Sequence, residues 1–234
     1  MPTVQVEDIA VYYELHGAGE PLVLIGGLGA DSTLFAGMVE RLALNHRVLT
    51  FDNRGAGRTD KPDAPYSIVG MAEDTAGLMD ALSIDRAHVL GISMGGRIAL
   101  ELAMAHPDRV AKLVLVSTSA AGRGKLSLSW PMRIMLLLKA MGIVRGEHPQ
   151  PRYAYLRQRD ASVTYNGLDR LGQIRAPALV LHGRQDRSMP LEAAERMRQG
   201  ITGSRMEVFE GGHMFFVFSR RNEFLDRVEH FLAE

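Results

Sequence analysis

The chain has 234 residues, enough for one domain with a large core and an insertion. Its 27 Lys and Arg residues balance 27 Asp and Glu residues, so no net charge points to nucleic acid or to an anionic membrane surface, and it has no cysteine for disulfides, a thiol nucleophile or thiolate metal sites. The N-terminus lacks the basic start and apolar segment of a secretion signal, and no apolar run approaches the roughly 20 residues of a membrane span, so we expect a cytoplasmic protein without membrane partners.

The hydrophobic pattern predicts strands that alternate with helices. Alternating β-forming residues over 3–15 predict an antiparallel hairpin with its turn at Glu7 and Asp8. Further strands are predicted at residues 22–25, 48–51, 87–92, 110–116, 178–181 and 205–209. Helices are predicted at 35–44, 68–82 and 95–106, from Leu191, and at the end of the chain, where Phe224, Leu225, Val228, Phe231 and Leu232 share a face. This alternation indicates an α/β fold, a mostly parallel twisted sheet with helices on both faces.

Residues 119–174 interrupt this alternation. The segment has no clear buried strand, while residues 126–143 are apolar with helical spacing. We interpret 119–174 as a short helical cap inserted into a core formed by residues 1–118 and 175–234. Packing of an ordinary helix against the core explains the same apolar residues, but a helix over the sheet edge could also line a substrate pocket. The candidate lining residues are Trp130, Ile134 and Leu138.

A serine between two glycines lies at the junction of a predicted strand and a predicted helix. Residues 91–95 read Gly-Ile-Ser-Met-Gly, which is the pattern G-x-S-x-G, and the strand at 87–92 leads into them. A turn this sharp strains the serine backbone and leaves room only for small residues two positions to either side. It would place the Ser93 hydroxyl above the carboxyl ends of the strands, where parallel sheets bind ligands. A glycine-rich connection without any chemistry has the same pattern.

Ser93 needs a base to take its proton and a third group to orient that base. Asp186 and His213 each follow a predicted strand, so both should lie at the same sheet edge as Ser93. The order Ser, Asp, His along the chain is the one expected with this type of turn. The loop after the strand at 110–116, another common position for the acid, reads Ser-Thr-Ser and has no carboxylate, which favours Asp186.

Acyl transfer also needs backbone donors for the oxyanion that develops on the substrate. Met94 follows the serine at the start of a helix, so its N–H is one candidate. The loop after the strand at 22–25 reads Gly-Gly-Leu-Gly, and its glycines permit a tight backbone beside Ser93. The N–H of Leu28 is therefore the second candidate.

Five segments together resemble the α/β-hydrolase-fold serine hydrolases, in particular the small esterases and enol-lactonases. They read Leu-Ile-Gly-Gly-Leu-Gly at 24–29, Asp-Asn-Arg-Gly-Ala-Gly at 52–57, Gly-Ile-Ser-Met-Gly-Gly at 91–96, Gly-Arg-Gln-Asp at 183–186 and Gly-Gly-His at 211–213. The resemblance covers essentially the whole chain. It implies Ser93 as nucleophile, Asp186 as orienting acid and His213 as base, with Leu28 and Met94 as oxyanion donors. The chain differs from many relatives in having Gly26-Gly27 where they have His-Gly, and in its short cap.

These observations favour a serine hydrolase of small carboxylic esters or lactones that works through an acyl-enzyme intermediate. The same residues would also serve a C–C bond hydrolase or a cofactor-free perhydrolase or haloperoxidase, and a fold that only binds a ligand is a third hypothesis. We expect no metal and no nucleotide cofactor, because the G-x-G-x-x-G and P-loop patterns are missing. The expected partner is a small-molecule substrate, and the sequence leaves homo-oligomerisation open.

Overall fold

The computed structural model describes residues 2–122 and 148–234. Within them lies one eight-stranded sheet of order β1-β2-β4-β3-β5-β6-β7-β8. The strands are β1 Thr3–Val6, β2 Ile9–His16, β3 Glu20–Ile25, β4 His46–Phe51, β5 Ala87–Ile92, β6 Val110–Val116, β7 Ala178–Gly183 and β8 Arg205–Phe209. β1 pairs antiparallel with β2, and β2 antiparallel with β4, whereas the strands from β3 to β8 pair with one another in parallel. The predicted α/β architecture is confirmed.

The described residues form seven α-helices and three short 3-10 helices. The α-helices are α1 Ala36–Leu42, α2 Ile68–Ala81, α3 Met94–Ala105, α4 Arg152–Thr164, α5 Leu191–Gly200, α6 Phe215–Ser219 and α7 Arg221–Ala233. Short 3-10 helices lie at Ser32–Phe35, Pro107–Arg109 and Leu168–Gln173. No helix among residues 2–122 and 148–234 is long and apolar enough to cross a membrane.

Helices cover both faces of the sheet because successive strand residues point to opposite sides. Val23 and Val89 belong to a buried cluster with α2, α3 and α5, whereas their neighbours Leu24 and Leu90 belong to a second cluster with α1, α6 and α7. The inner strands, such as β5 and β7, are therefore buried on both sides and read as nearly continuous apolar runs, whereas the edge strands β1 and β8 are partly exposed. The carboxyl ends of the parallel strands remain as the edge where loops can assemble a site.

Most predicted elements lie where the sequence pattern placed them. The strands at 87–92, 110–116 and 205–209 match residue for residue. The helix predicted at 35–44 is shorter in the structure, because Phe35 ends a 3-10 turn that the side chain of Asp31 caps, and α1 runs from Ala36 to Leu42. The short helix α6 was not predicted.

The structure describes part of the segment predicted to be a cap. Within 119–174 the structure describes α4 and the 3-10 helix Leu168–Gln173, and the two ends of the segment are joined where Gly122 N–H donates to Tyr165 O at 2.6 Å and Gly167 N–H donates to Ala120 O at 2.8 Å. The helix predicted at 126–143 lies outside the described residues. The same holds for the three candidate pocket-lining residues Trp130, Ile134 and Leu138.

Candidate active site

Ser93 occupies a strained turn between β5 and α3. Its backbone angles are φ 56° and ψ −115°, in a region that L-residues rarely adopt. A Cβ at Gly91 would overlap the carbonyl oxygen of Gly95, and a Cβ at Gly95 would overlap that of Ile25. The predicted requirement for small residues thus has a direct cause, since α3 begins against the end of β3. The turn leaves Ser93 partly exposed, directly after the carboxyl end of β5.

The side chains of Ser93, Asp186 and His213 form one chain of hydrogen-bond contacts at this edge. His213 Nε2 lies 3.1 Å from Ser93 Oγ, and His213 Nδ1 lies 2.7 Å from Asp186 Oδ2. β7 ends just before the loop that carries Asp186, and β8 ends just before the loop that carries His213. A carboxylate oxygen only accepts hydrogen bonds, so Nδ1 carries the proton and Nε2 of the neutral ring can accept from the serine hydroxyl.

The carboxylate of Asp186 is held rigidly. Its side chain is fully buried, and its Oδ1 atom accepts hydrogen bonds from the backbone N–H groups of Ser188 and Met189, both at 2.8 Å. These two bonds leave Oδ2 directed at His213. The arrangement can therefore orient the imidazole and stabilise the positive charge that it gains when it takes a proton.

His182 stabilises the loop that carries Asp186. It is fully buried, and its Nε2 donates to the carbonyl oxygen of Met189 at 2.7 Å. Burial lowers the pKa of His182 below its ordinary value, so the ring is neutral and acts as a donor only through Nε2. The ring also lies 3.7 Å from Oδ2 of Asp186, which places it beside the carboxylate without displacing His213.

The loop after β6 forms hydrogen bonds to the backbone of Ser93 and to that of Met214, the residue after His213. Thr118 Oγ1 donates to the carbonyl oxygen of Ser93 at 2.6 Å, and Ser117 Oγ accepts from the N–H of Met214, next to His213, at 3.2 Å. From the sequence, this loop was of interest only as a possible source of an acid, and it has no carboxylate. Hydroxyl side chains at a strand end were the available signal, since they commonly bond nearby backbone groups.

The two predicted oxyanion donors belong to segments that adjoin Ser93. Met94 is the first residue of α3 and follows Ser93 directly. Leu28 belongs to the loop after β3, and a Cβ at its neighbour Gly27 would lie 3.4 Å from Cβ of Ser93, so this loop packs against the turn. The next residue, Gly29, has φ +69° and donates its N–H to Oε1 of Gln158 on α4 at 3.0 Å. Gln158 was not singled out from the sequence.

A buried arginine follows the serine by one helical turn. Arg97 is 2% exposed, and among residues 2–122 and 148–234 no carboxylate contacts it. Its guanidinium donates to Ser119, Ala121 and Ser162, which belong to the two ends of the 119–174 segment. Burial lowers the pKa of Arg97 to about 10. Arg97 thus connects α3 to that segment through neutral acceptors.

The described residues offer no metal site. Among residues 2–122 and 148–234 no group of three or more His, Asp or Glu side chains could hold a metal ion. The chemistry available at the edge of the sheet is that of a hydroxyl, an imidazole and a carboxylate in series.

The sequence of this chain is similar to those of known proteins. Residues 20–164 match a family model described as alpha/beta hydrolase fold. The protein named "Putative carbamate hydrolase RutD" from Azorhizobium caulinodans is 31% identical over 245 residues, covering 92% of this chain and 92% of that protein.

Two solved structures are similar over nearly the whole chain. The enol-lactonase from Burkholderia xenovorans LB400 has a TM-score of 0.88 and 26% identity, covering 100% of each chain. The esterase EaEST from Exiguobacterium antarcticum has a TM-score of 0.85 and 27% identity, covering 99% of each chain. Both similarities extend through the strands and helices that carry Ser93, Asp186 and His213.

Proposed function

Because this chain belongs to the alpha/beta hydrolase family, we propose that it is a serine hydrolase of small carboxylic esters or lactones that works through an acyl-enzyme intermediate. The observation that carries the proposal is the pair of contacts of His213, 3.1 Å to Ser93 Oγ on one side and 2.7 Å to Asp186 Oδ2 on the other. This geometry meets the distance that a general base needs to take a proton from a nucleophile. The similarity to an enol-lactonase and to an esterase supports carboxylic esters and lactones as the substrate class.

In the acylation step, Nε2 of His213 takes the hydroxyl proton as Oγ of Ser93 attacks the carbonyl carbon. The carbonyl oxygen becomes an oxyanion, for which the N–H groups of Leu28 and Met94 are the proposed donors. The protonated imidazole, stabilised by Asp186, then donates its proton to the leaving alkoxide. An ester releases its alcohol at this point, whereas an opened lactone keeps its hydroxyl on the acyl chain.

Deacylation uses the same groups in reverse roles. His213 takes a proton from water, the resulting hydroxide attacks the acyl carbonyl, and the second oxyanion forms at the same backbone donors. When this intermediate collapses, the proton returns to Oγ of Ser93 and the carboxylic acid leaves. No metal or nucleotide cofactor takes part in the proposed reaction.

Carbamate hydrolysis is a second candidate activity. The observation that favours it is the 31% identity over 92% of this chain with a RutD protein whose name refers to a carbamate hydrolase. A carbamate presents a carbonyl carbon to the same nucleophile, so the proposed roles of Ser93, Asp186 and His213 would be unchanged. The fold by itself does not choose between these substrates.

A substrate panel tests the proposal. Purified protein is assayed with p-nitrophenyl acetate and butyrate, an enol-lactone, an alkyl carbamate, a β-diketone-type C–C bond substrate and a peracid-forming assay. We expect the ester or lactone to give the highest kcat/KM and Ser93→Ala to abolish turnover. Full activity in Ser93→Ala would overturn the assignment, and a protein that neither turns over any substrate nor reacts with a fluorophosphonate at Ser93 would be a binding protein.

A further inference from the structure

Gln158 is a fully buried glutamine on α4 whose side chain reaches the loop after β3. Its Oε1 accepts from the N–H of Gly29 at 3.0 Å, and its Nε2 donates to the carbonyl oxygen of Arg54 at 2.7 Å. The amide oxygen thus accepts a hydrogen bond and the amide nitrogen donates one, so a flipped amide would lose both bonds. The side chain therefore connects two loops that are distant in sequence. Gly29 lies 129 positions and Arg54 lies 104 positions from Gln158.

The surroundings of Gln158 hold it in this one orientation. Gln150 donates through Nε2 to Oε1 of Gln158 at 3.0 Å and to the carbonyl oxygen of Gly55 at 2.7 Å. A Cβ at Gly29 would lie 3.2 Å from Oε1 of Gln150 and 3.3 Å from the ring of Tyr155, so the loop packs closely beneath α4. Arg54, whose carbonyl oxygen accepts from Gln158, is also held in place. Its guanidinium binds the carboxylates of Asp74 on α2 and of Asp8 in the first hairpin.

We propose that Gln158 is a positioning residue for the oxyanion site, an inference that rests on the proposed hydrolase function. It binds the N–H of Gly29, and Gly29 follows Leu28 directly, so the hydrogen bond fixes the peptide that adjoins the donor at Leu28. The left-handed conformation of Gly29, at φ +69°, needs such a fixed partner because glycine has no intrinsic preference for it. Within the described residues the side chain of Gln158 bonds to Gly29, Arg54 and Gln150 and not to Ser93 or His213, so it acts through the loop.

Catalysis therefore depends on how α4 packs against the loop after β3. An oxyanion donor acts fully only when it already points at the position of the developing charge, and losing one such donor costs about 10²- to 10³-fold in kcat. A loop that is displaced rather than removed should lose part of that factor. We therefore expect a decrease of about 10- to 100-fold in kcat when Gln158 no longer holds Gly29, with KM changed by less than about 3-fold, because ground-state binding does not need the donor.

The first test compares two variants of α4. Gln158→Leu keeps the size of the side chain and removes both hydrogen bonds, whereas Ser162→Ala lies one turn further on α4, is also buried and loses only the bond that its hydroxyl accepts from Arg97, while its carbonyl oxygen still accepts from Arg97. Both variants lose buried hydrogen bonds, so both should be less stable. Only Gln158→Leu should lower kcat, and equal kcat values in the two variants would contradict the inference.

The third variant, Gln158→Glu, tests the donor to the carbonyl oxygen of Arg54. A carboxylate cannot donate to this oxygen, whereas a protonated carboxyl group can donate to it and still accept from Gly29. Ionisable side chains lie on every segment packed around this position: Asp31 in the loop after β3; Asp52, Arg54 (paired with Asp8 and Asp74), Arg58, Asp60, Lys61 and Asp63 in the loop after β4; His148 before α4; and Arg152, Tyr153, Tyr155, Arg157, Arg159 and Asp160 on α4 itself. We expect the ratio of kcat in Gln158→Glu to kcat in wild type to rise as the pH falls, and a constant ratio would overturn the role of this bond.

Hydrogen exchange tests the bond between Gly29 and Gln158 independently of activity. The amide of Gly29 should exchange faster in Gln158→Leu than in wild type, while in Ser162→Ala it should exchange at the wild-type rate. Unchanged exchange at Gly29 in Gln158→Leu would overturn the inference even in an active enzyme. An inactive wild type with the expected exchange pattern would instead count against the proposed function, so the two failures are distinguishable.

Discussion

His213 Nε2 lies 3.1 Å from Ser93 Oγ although the two residues are 120 positions apart in the chain. The contact exists because β5 and β8 run parallel in one sheet and end at the same edge. Asp186 approaches the other ring nitrogen from the neighbouring strand end at 2.7 Å. The predictions below follow from this arrangement and from the groups that hold it.

Replacement of the proposed nucleophile and acid should have unequal effects. We expect Ser93→Ala to lower kcat by about 10⁵- to 10⁶-fold, whereas Asp186→Asn should lower it by about 10⁴-fold, because the imidazole can still take a proton when it is poorly oriented. Both values are measured with the best substrate of the panel. Circular dichroism and urea titration of each variant check that the protein is folded. An Asp186→Asn variant with wild-type kcat would refute the role proposed for the acid.

A methyl group at the turn after Ser93 should destabilise the fold. In Gly95→Ala the new Cβ would overlap the carbonyl oxygen of Ile25, which is part of the central sheet and cannot move away. We expect a loss of about 3 kcal/mol or more in the free energy of unfolding, as for severe overpacking. The matched control is Gly172→Ala, where the new Cβ meets nothing within 4 Å. Equal stability of the two variants in urea would contradict the packing argument.

The hydroxyl of Thr118 should matter for the geometry of Ser93. It donates to the carbonyl oxygen of Ser93 at 2.6 Å and thereby stabilises a residue with φ 56°. Thr118→Val removes the donor and keeps the shape, so we expect a loss of about 1 kcal/mol in stability and a several-fold decrease in kcat. Thr118→Ser retains the hydroxyl and serves as the control. If the valine and serine variants have the same kcat, the hydrogen bond does not position the nucleophile.

The buried guanidinium of Arg97 should be hard to replace. It donates to acceptors on Ser119, Ala121 and Ser162, and substitution by an apolar residue leaves buried oxygens without partners. We expect Arg97→Met to lose about 3 kcal/mol or more of unfolding free energy. Arg97→Lys should recover only part of this, because an ammonium cannot reproduce the planar set of five donors. Wild-type stability of Arg97→Lys in urea would show that geometry at this position is unimportant.

Acidification should destabilise the protein through His182. Burial lowers the pKa of His182 below 6.5, so between pH 6.5 and its folded pKa the unfolded chain binds a proton that the folded protein does not. Stability is therefore fully present above pH 6.5 and decreases as the pH falls below it. The groups facing the ring are Asp186, His213 and the carbonyl oxygen of Met189. Urea midpoints measured from about pH 7.5 to about pH 5.5 should show this slope.

The control for that slope is His182→Gln. Its amide can still donate to Met189, but it does not titrate, so the midpoint should depend less on pH than in wild type. Burial also lowers the pKa of His88, so part of the slope should remain in the variant. An identical slope in wild type and His182→Gln would show that His182 does not contribute.

The elements and the order of the site residues could be predicted from local sequence. Apolar runs such as 87–92 and 110–116 can be buried on both faces only inside a sheet covered by helices, which is why their bounds were predicted residue for residue. Ser93, Asp186 and His213 were found because each follows a strand, and parallel strands bring their carboxyl ends together whatever the distance along the chain. The membership in the α/β-hydrolase family was likewise recognisable from short segments.

The contacts that hold the site were decided only by the tertiary structure. Gln158 lies in a helix rich in charged and polar residues, and nothing in that composition distinguishes the glutamine that is buried from its exposed neighbours. Its bond to Gly29 spans 129 positions, and the bonds of Arg97 to Ser162 span 65. A hydrogen bond of this kind depends on distance and angle within a few tenths of an ångström, which follow from how α4 packs on the sheet. Hydrophobic periodicity determines that a helix is buried and on which face, but the partner of each polar atom is determined by the assembled fold.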